Sequence, residues 1–489
     1  MSTQPETKAG AAKNDASYGL RAQALSPLEV LAQSIANIAP TATPTVVIPL
    51  VFAVAGNAAW AAYLFALLGM LLVSANINVF ARRSASPGSL YTYVVEGLGT
   101  SWGIAVGWIL FVAYVTCASS VTTGFTNYVN VLIKDLTGVA SVSPALSVVI
   151  LGIGVLAAWY VAYKDIRLST RLILGIELIA VALTISVIAV TLYQHGWKLD
   201  WVQLKFEGVT FEGLRIGLVL AIFSFVGFES ATALGSEARK PLKTVPAAVR
   251  RSVILVGLLF AISAYAEVLG FAGSAVTLDK SDAPLQVLAS NAGIPLLGKV
   301  ITAGAIISFF ACVLASITAG ARIFFLMSRH GLFPKVFGHA HASNLTPHVS
   351  VTLSAIIAFV PAAILTGLGN GLFDIYGWIG TTTTLAFIVA YAAISLAAPI
   401  YLKRRGELKG FHVVISAASI ALLGMVLLGL VYPLPGAPYS YPIYAFVALA
   451  LFGLALGVFV KFRSRVVREN IHRDIVAINE RFNDAGTGI

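Results

Sequence analysis

The chain has 489 residues, 58% of them hydrophobic and only 11% charged, with a mean hydropathy of +0.88. A soluble domain carries about 25% charge, so the charge deficit and the long apolar runs place this chain in a lipid bilayer. The formal net charge of +11 would suit nucleic acid, but its distribution follows membrane topology and sets nucleic acid aside.

In chain order, residues 1–25 are polar, with no short apolar segment followed by a cleavage site, and are expected to form a disordered cytoplasmic tail. Apolar runs of roughly 20 residues, the length a bilayer core requires, then predict twelve membrane spans near 28–54, 58–80, 101–133, 143–163, 169–193, 213–236, 252–273, 297–328, 349–368, 375–401, 411–432 and 441–460. Both cysteines, Cys117 and Cys312, fall inside these runs, which does not support a disulfide framework. Beyond the last span, Val467, Ile471, Ile475, Ile478 and Phe482 recur at spacings of three and four between charges. Residues 461–489 are therefore expected to be a cytoplasmic tail with an amphipathic helix on the inner membrane surface.

Twelve spans put both termini on one side. Of the 32 Lys and Arg, only Lys134, Lys198, Lys205, Arg215, Lys280 and Lys299 fall on the other side. That bias sets both termini in the cytoplasm of a multi-pass protein of the cytoplasmic membrane.

Two spans carry breaks. Span one contains "NIAPTATP" (37–44), and its prolines each remove a backbone donor and clash with the carbonyl four residues back. Span six contains "FSFVGFES" (223–230), with Gly227 among polar Ser224, Glu229 and Ser230. Each break begins about twelve residues into its span, or ~18 Å at 1.5 Å per residue, and the two spans enter from opposite faces. Both breaks fall near the midplane. Residues 26–193 (spans one to five) and 212–402 (spans six to ten) then read as two inverted repeats, with spans eleven and twelve (411–460) added, the pattern of a secondary transporter.

Unwound backbone survives in lipid only where protein or a water-filled cavity covers it. Thr43-Pro44 reads as an N-cap followed by proline at the first helical position, which offers free N–H groups to an anion. The half-helices that end near Asn37–Ile38 and Phe223–Ser224 offer carbonyls to an ammonium group. A site with donors for one end of a solute and acceptors for the other suits a zwitterion.

Three stretches resemble the amino acid–polyamine–organocation (APC) superfamily. "FSFVGFESATALGSEARKPLKTVPAAVRRS" (223–252) is similar to the sixth span and following loop of these permeases, with Gly227-Phe228-Glu229, Glu237-Ala238-Arg239, Pro241 and Val245-Pro246. "ARIFFLMSRHGLFPKVFGHAHASNLTPHVSV" (321–351) is similar to the loop after span eight, and "SPGSLYTYV" (86–94) to the loop before span three. The similarity covers roughly residues 26–460. It implies an all-α, five-plus-five inverted-repeat (LeuT-like) fold with broken helices 1 and 6 plus two extra helices, and an amino acid or related amine as substrate. It implies that backbone of spans one and six binds that substrate, at Ile38, Ala39, Thr41, Ala42, Thr43, Ser224, Gly227 and Phe228. Phe223 lies where relatives carry an aromatic gate, and Ser316 and Thr382 align with positions that face the site. Many members have a glycine-rich break in span one where this chain has Pro40-Thr41-Ala42-Thr43-Pro44, which leaves the identity of the substrate open.

Glu177, Glu229 and Glu267 are the acids deepest in the spans. An ionised acid at mid-bilayer costs about 2.5–3.5 kcal/mol even on lenient scales. A carboxyl that takes up and releases a proton there can carry it with the substrate. Some relatives use a span-five lysine for this, and Glu177 is the only ionisable group between Leu172 and Tyr193 able to take that role. Glu177 and Glu229 are the proton-coupling candidates, and Glu267 is placed in the outer vestibule or the packing. Sodium coupling, through carbonyls of the first break with Ser316, is the alternative ion; an exchanger needs none. A polyamine or small-amine carrier is the alternative substrate reading, and a receptor or channel on the same fold the alternative class. "GIPLLGKV" (293–300) lacks the Ser or Thr that would hold magnesium in a phosphate-binding loop, and His339 and His341 are too few for a metal site. No cofactor, metal or enzymatic nucleophile is expected.

Overall fold

A computed structural model describes residues 18–281 and 283–483. Every regular element in them is helical. In chain order these are α1 (Pro27–Ile38), a π turn (Thr43–Val47), α2 (Ile48–Ala55), α3 (Ala59–Ala81), α4 (Leu90–Leu98), α5 (Thr100–Thr137), α6 (Pro144–Lys164), α7 (Ile166–Gln194), α8 (Trp201–Leu204) and α9 (Phe211–Phe223). After a 3₁₀ turn (Ser230–Leu234) come α10 (Pro241–Phe271), α11 (Pro284–Asn291), α12 (Pro295–Arg329), α13 (His348–Gly367), α14 (Leu372–Arg404), α15 (Gly410–Val431), α16 (Tyr441–Arg463) and α17 (Arg465–Asn483).

Among the described residues, ten helical segments are long and apolar enough to cross a membrane, and the protein is a multi-pass membrane protein. One of the ten, Pro27–Ala81, contains both the first break and a reversal at Gly56–Ala58. The predicted span at 213–236 stops short. Its α-helix ends at Phe223 after 13 residues, and the chain continues as turns with a single 3₁₀ segment. Thirteen residues rise only ~20 Å.

Burial sorts the helices. The most apolar stretches of α5 and α12 are 89% and 72% buried, whereas those of α15 and α16 are 22% and 28% buried, which makes the last two peripheral. Large apolar side chains such as Ile153, Leu156, Ile179, Ile356, Val414 and Leu451 are exposed on the outer helices, as a lipid-facing surface requires.

Local signals explain where α1 begins and ends. Glu29 N–H donates to Ser26 Oγ (3.3 Å) and Ser26 N–H to Glu29 Oε2 (2.7 Å), a reciprocal capping box with Pro27 in the first turn. At the far end Ala39 is left-handed (φ 52°), since the ring of Pro40 disfavours a helical residue before it.

The two tails depart from expectation. Residues 1–17 lie outside the described residues, but 18–25 are packed: Tyr18, Leu20 and Leu25 are buried, and Leu25 pairs with the segment after the second break (Leu25 N–H to Glu237 O, 3.0 Å; Arg239 N–H to Leu25 O, 2.9 Å). The apolar stripe of α17 meets protein where lipid was expected. Val467, Ile471 and Ile478 are buried, and Asp474 accepts hydrogen bonds from Tyr18 and His330 (3.2 Å each). The side chain of Phe482 lies outside the described residues.

Glu96 sits on the short α4, outside the spanning segments. Burial pushes its carboxyl up to about 7, against smaller opposing effects of Ser84 and Arg405. The folded protein thus keeps a proton that the unfolded chain releases near the ordinary value of 4.5, so stability contributed by this group falls as pH rises from ~4.5 through ~7. Glu96→Gln should flatten the decline in thermal-unfolding temperature across that window; an unchanged decline in the variant would contradict the assignment.

Candidate functional site

The two interruptions meet. Gly227, at φ +84°, lies so close to α1 that a methyl group added there would fall 1.7 Å from Asn37 Nδ2. Farther along, the turn after Gly227 is stitched to α1: Ser230 Oγ donates to Gln33 O (3.1 Å) and Ala231 N–H to Ser34 Oγ (3.2 Å). Every residue from Ser224 to Ala238 is buried.

The first break is held from α12. Ser316 Oγ donates to Asn37 Oδ1 (2.9 Å), Cys312 Sγ to Asn37 O (3.4 Å), and Gln33 Nε2 to Ala315 O (2.8 Å). Ser308, Cys312 and Ser316 are four residues apart and share one face of α12. At the other end of that face Ser308 Oγ reaches both oxygens of Glu177 on α7 (3.2 and 3.3 Å). Ile38, Ala39, Thr41, Ala42 and Thr43 are all buried. Asn37 Nδ2 and Thr41 Oγ1 are buried without a hydrogen-bond partner among the described residues, one on each side of the left-handed Ala39.

Thr43 does not cap the next segment. The turn starts from Ala42, itself right-handed and without a side-chain cap bond, and winds as a wide π turn over Thr43–Val47. The ring of Pro44 excludes the ordinary i−4 hydrogen bond. The Thr45 hydroxyl adds a donor inside this turn, shared between Thr41 O (2.9 Å) and Ala42 O (3.0 Å).

The second break is held from α5 and α14. Gly227 N–H donates to the Tyr391 hydroxyl (2.9 Å), and that hydroxyl donates to Glu229 Oε2. Tyr114 OH donates to Glu229 Oε1 (2.7 Å). Glu229 is fully buried, and among the described residues no cation pairs with it. Phe228 lies against the Tyr391 ring (centroids 5.3 Å apart), and Ser224 Oγ faces Tyr63 OH at 3.4 Å. On the side away from the termini, the half-buried Phe223 ring meets Tyr376 edge-on (6.2 Å), and Tyr376 in turn meets Phe309 (6.4 Å).

Thr382 is not part of this arrangement. Gly380, Thr384, Phe387 and Tyr391 follow the inward stripe of α14, and Gly380 lies under the Phe223 ring. Thr382 is two residues off that stripe, and its hydroxyl donates to Pro442 O on the peripheral α16 (3.1 Å). Glu267 is buried on α10, and neither carboxyl oxygen has a hydrogen-bond partner among the described residues. Tyr114, Tyr391, Ser308 and Cys312 join the site without a sequence signal, and so does the side chain of Asn37, whose backbone alone the break pointed to. Only knowing which helices pack against the breaks could single them out among many buried polar residues.

Residues 29–473 match the model of the family described as "Amino acid permease". The chain belongs to the amino acid permease family. Within it, the chain is 26% identical over 375 residues to the branched-chain amino acid permease BcaP of Bacillus subtilis, covering 72% of this chain and 76% of that one. It is 25% identical over 392 residues to the methylthioribose transporter of the same organism (78% and 82%), and 24% identical over 310 residues to the low-affinity putrescine importer PlaP of Escherichia coli K12 (61% and 66%). The family is one of transporters, not enzymes.

Gly227→Ala is the sharpest test of how this permease joins its breaks. The added methyl collides with Asn37 and demands a backbone conformation that alanine adopts only under strain. Substrate binding and uptake should fall to background while membrane insertion persists. Asn37→Ala in the same chain should restore little, because the positive φ remains. Near-normal uptake by Gly227→Ala would refute the geometry.

Proposed function

We propose that this permease carries a zwitterionic amino acid across the cytoplasmic membrane by alternating access, held by donors and acceptors at two helix breaks. The observation that carries the reading is the approach of Gly227 to Asn37, with both breaks buried and tied to fixed helices. Carbonyls at the ends of α1 and α9 would take the ammonium group. The N–H groups around Thr41 and Thr43, with the unpartnered Asn37 amide and Thr41 hydroxyl, would take the carboxylate. The substrate set would be Ile38, Ala39, Thr41, Ala42, Thr43, Phe223, Ser224, Gly227, Phe228 and Ser316, extended by Asn37. Phe223 and Tyr376 would close the outer side.

In this reading the chain crosses the membrane twelve times. The ten long segments become twelve when Pro27–Ala81 is divided at its reversal and α9 with its buried extension is added. Residues 26–193 and 212–402 form inverted repeats, 411–460 the peripheral pair, and both termini lie in the cytoplasm. Alternating access requires binding in both outward- and inward-open states, with substrate shifting their populations.

Coupling is assigned to protons. Glu229 is the stronger carrier because its hydrogen bonds run through Tyr391 directly to the Gly227 backbone, so a change in its charge acts on the substrate site. Glu177 acts on the first break through the Ser308–Cys312–Ser316 face. A small-amine substrate is the second reading, favoured by three buried acids that lack a cationic partner among the described residues. The putrescine importer among the relatives points the same way.

Uptake of a labelled panel of amino acids and amines into proteoliposomes, under a pH or a sodium gradient imposed separately, tests the reading. Neutral amino acids should accumulate with the pH gradient. Glu229→Gln should lose at least about tenfold of that uptake while retaining exchange, as expected for a functional intramembrane acid. If Glu177→Gln and Glu229→Gln both keep full pH-driven accumulation, proton coupling at these groups is wrong; accumulation of diamines alone would select the amine reading.

A further inference from the structure

The ends of α3, α10, α14 and α15 on the side of both termini enclose a cavity of about 420 Å³ that has no part in the break site. Its charge is one-sided: Arg82, Arg83 and Arg250 line it, and no carboxylate does. Arg83 is engaged, donating to Val79 O (2.6 Å) and to Glu407 (2.5 Å). Arg82 and Arg250 are exposed and form no ion pair among the described residues. Deeper in, Asn78 is buried and donates to Pro246 O (3.2 Å), while its Oδ1 has no partner among the described residues. Apart from Ser74 and Asn76 on α3 and His412 on α15, the remaining wall is apolar, with Leu71 on α3 facing Phe411 and Ile415 on α15, of which Phe411 is largely exposed.

The geometry points to a binding site for an anionic phospholipid. Two uncommitted guanidinium groups suit the phosphate, which arginine can clasp with paired donors. The buried Asn78 carbonyl suits a headgroup hydroxyl, and the Leu71–Phe411–Ile415 wall suits the start of an acyl chain. A basic pocket between helix ends at headgroup depth is the arrangement that selects anionic lipids in membrane proteins. A free phosphate ion shares the headgroup chemistry but has no use for the apolar wall. The lipid would bridge the α3–α10 pair to the peripheral α15, which has few buried side chains of its own (Ser416, Ser419, Leu423 and Val426). This assignment is independent of the transported solute and of the coupling ion.

The test uses the full-length chain in detergent, titrated with phosphatidylglycerol against a phosphatidylcholine background, with bound lipid counted by native mass spectrometry. The wild type should retain phosphatidylglycerol selectively. The Arg82→Gln/Arg250→Gln double variant should bind it at least about tenfold more weakly, since each interfacial arginine adds appreciably to anionic-lipid affinity. Ile415→Trp, which narrows the apolar wall and leaves both arginines, should also lose it, and it stands in if the double variant fails to fold. Retention by either folded variant at the wild-type level overturns the proposal. Millimolar inorganic phosphate should not displace the lipid; displacement by phosphate would assign the pocket to the free ion and overturn the lipid reading.

Discussion

A helix interrupted inside a bilayer leaves peptide groups that water cannot reach, and each such group left unpaired costs several kcal/mol. The structure around Ile38 and Phe223, where two helices stop in the interior, is organised by that cost. A hydroxyl within the first break, and a thiol and a phenol from neighbouring helices, take up part of the freed backbone. Thr45 bonds to the carbonyls of Thr41 and Ala42, Cys312 to that of Asn37, and Tyr391 receives the Gly227 amide. Two side-chain groups at the first break, the Asn37 amide and the Thr41 hydroxyl, have no hydrogen-bond partner among the described residues.

The surrounding helices divide the work of fixing the breaks. α12 fixes the first with Ser308, Cys312 and Ser316 on one face, and also anchors the chain beyond the second. Its Arg322, 2% exposed, grips Glu237 with two hydrogen bonds of 2.6 and 3.0 Å and donates to Thr318 O at 2.9 Å. Removing one member of such a buried pair costs about 3–5 kcal/mol, so this contact ties α12 firmly to the chain beyond the second break. Glu237 is also where Leu25 attaches the chain entering α1, so the approaches to both breaks are joined at one point. A movement that opens that side must displace the α1 entry, the Glu237 turn and α12 relative to one another.

Much of this was legible in the sequence. Apolar runs gave helices close to their observed limits, and Pro40, Pro44 and Gly227 gave the breaks, because both signals depend on local chemistry alone. Errors arose where a distant partner decides. Thr43-Pro44 has the composition of a capped helix start, but the crowding of two prolines widens the turn and moves the hydroxyl's role to Thr45. Thr382 has neighbours on both sides that could be the inward threonine, and a two-residue offset turns it toward α16. Residues 18–25 and the stripe on α17 are polar and amphipathic as read, but each finds the other, through Tyr18 and Asp474, as its partner. The tyrosines that hold Glu229 come from α5 and α14, far along the chain from the break they serve.

The central claim is that the paired breaks hold a solute at both of its charged ends. Competition binding to the purified protein tests it most directly, comparing one transported amino acid with its methyl ester and with the amine that lacks the carboxylate. The account predicts that the intact zwitterion competes at least about tenfold better than either, a difference of roughly 1.4 kcal/mol for the missing charge. Equal competition by the carboxylate-free amine would contradict it.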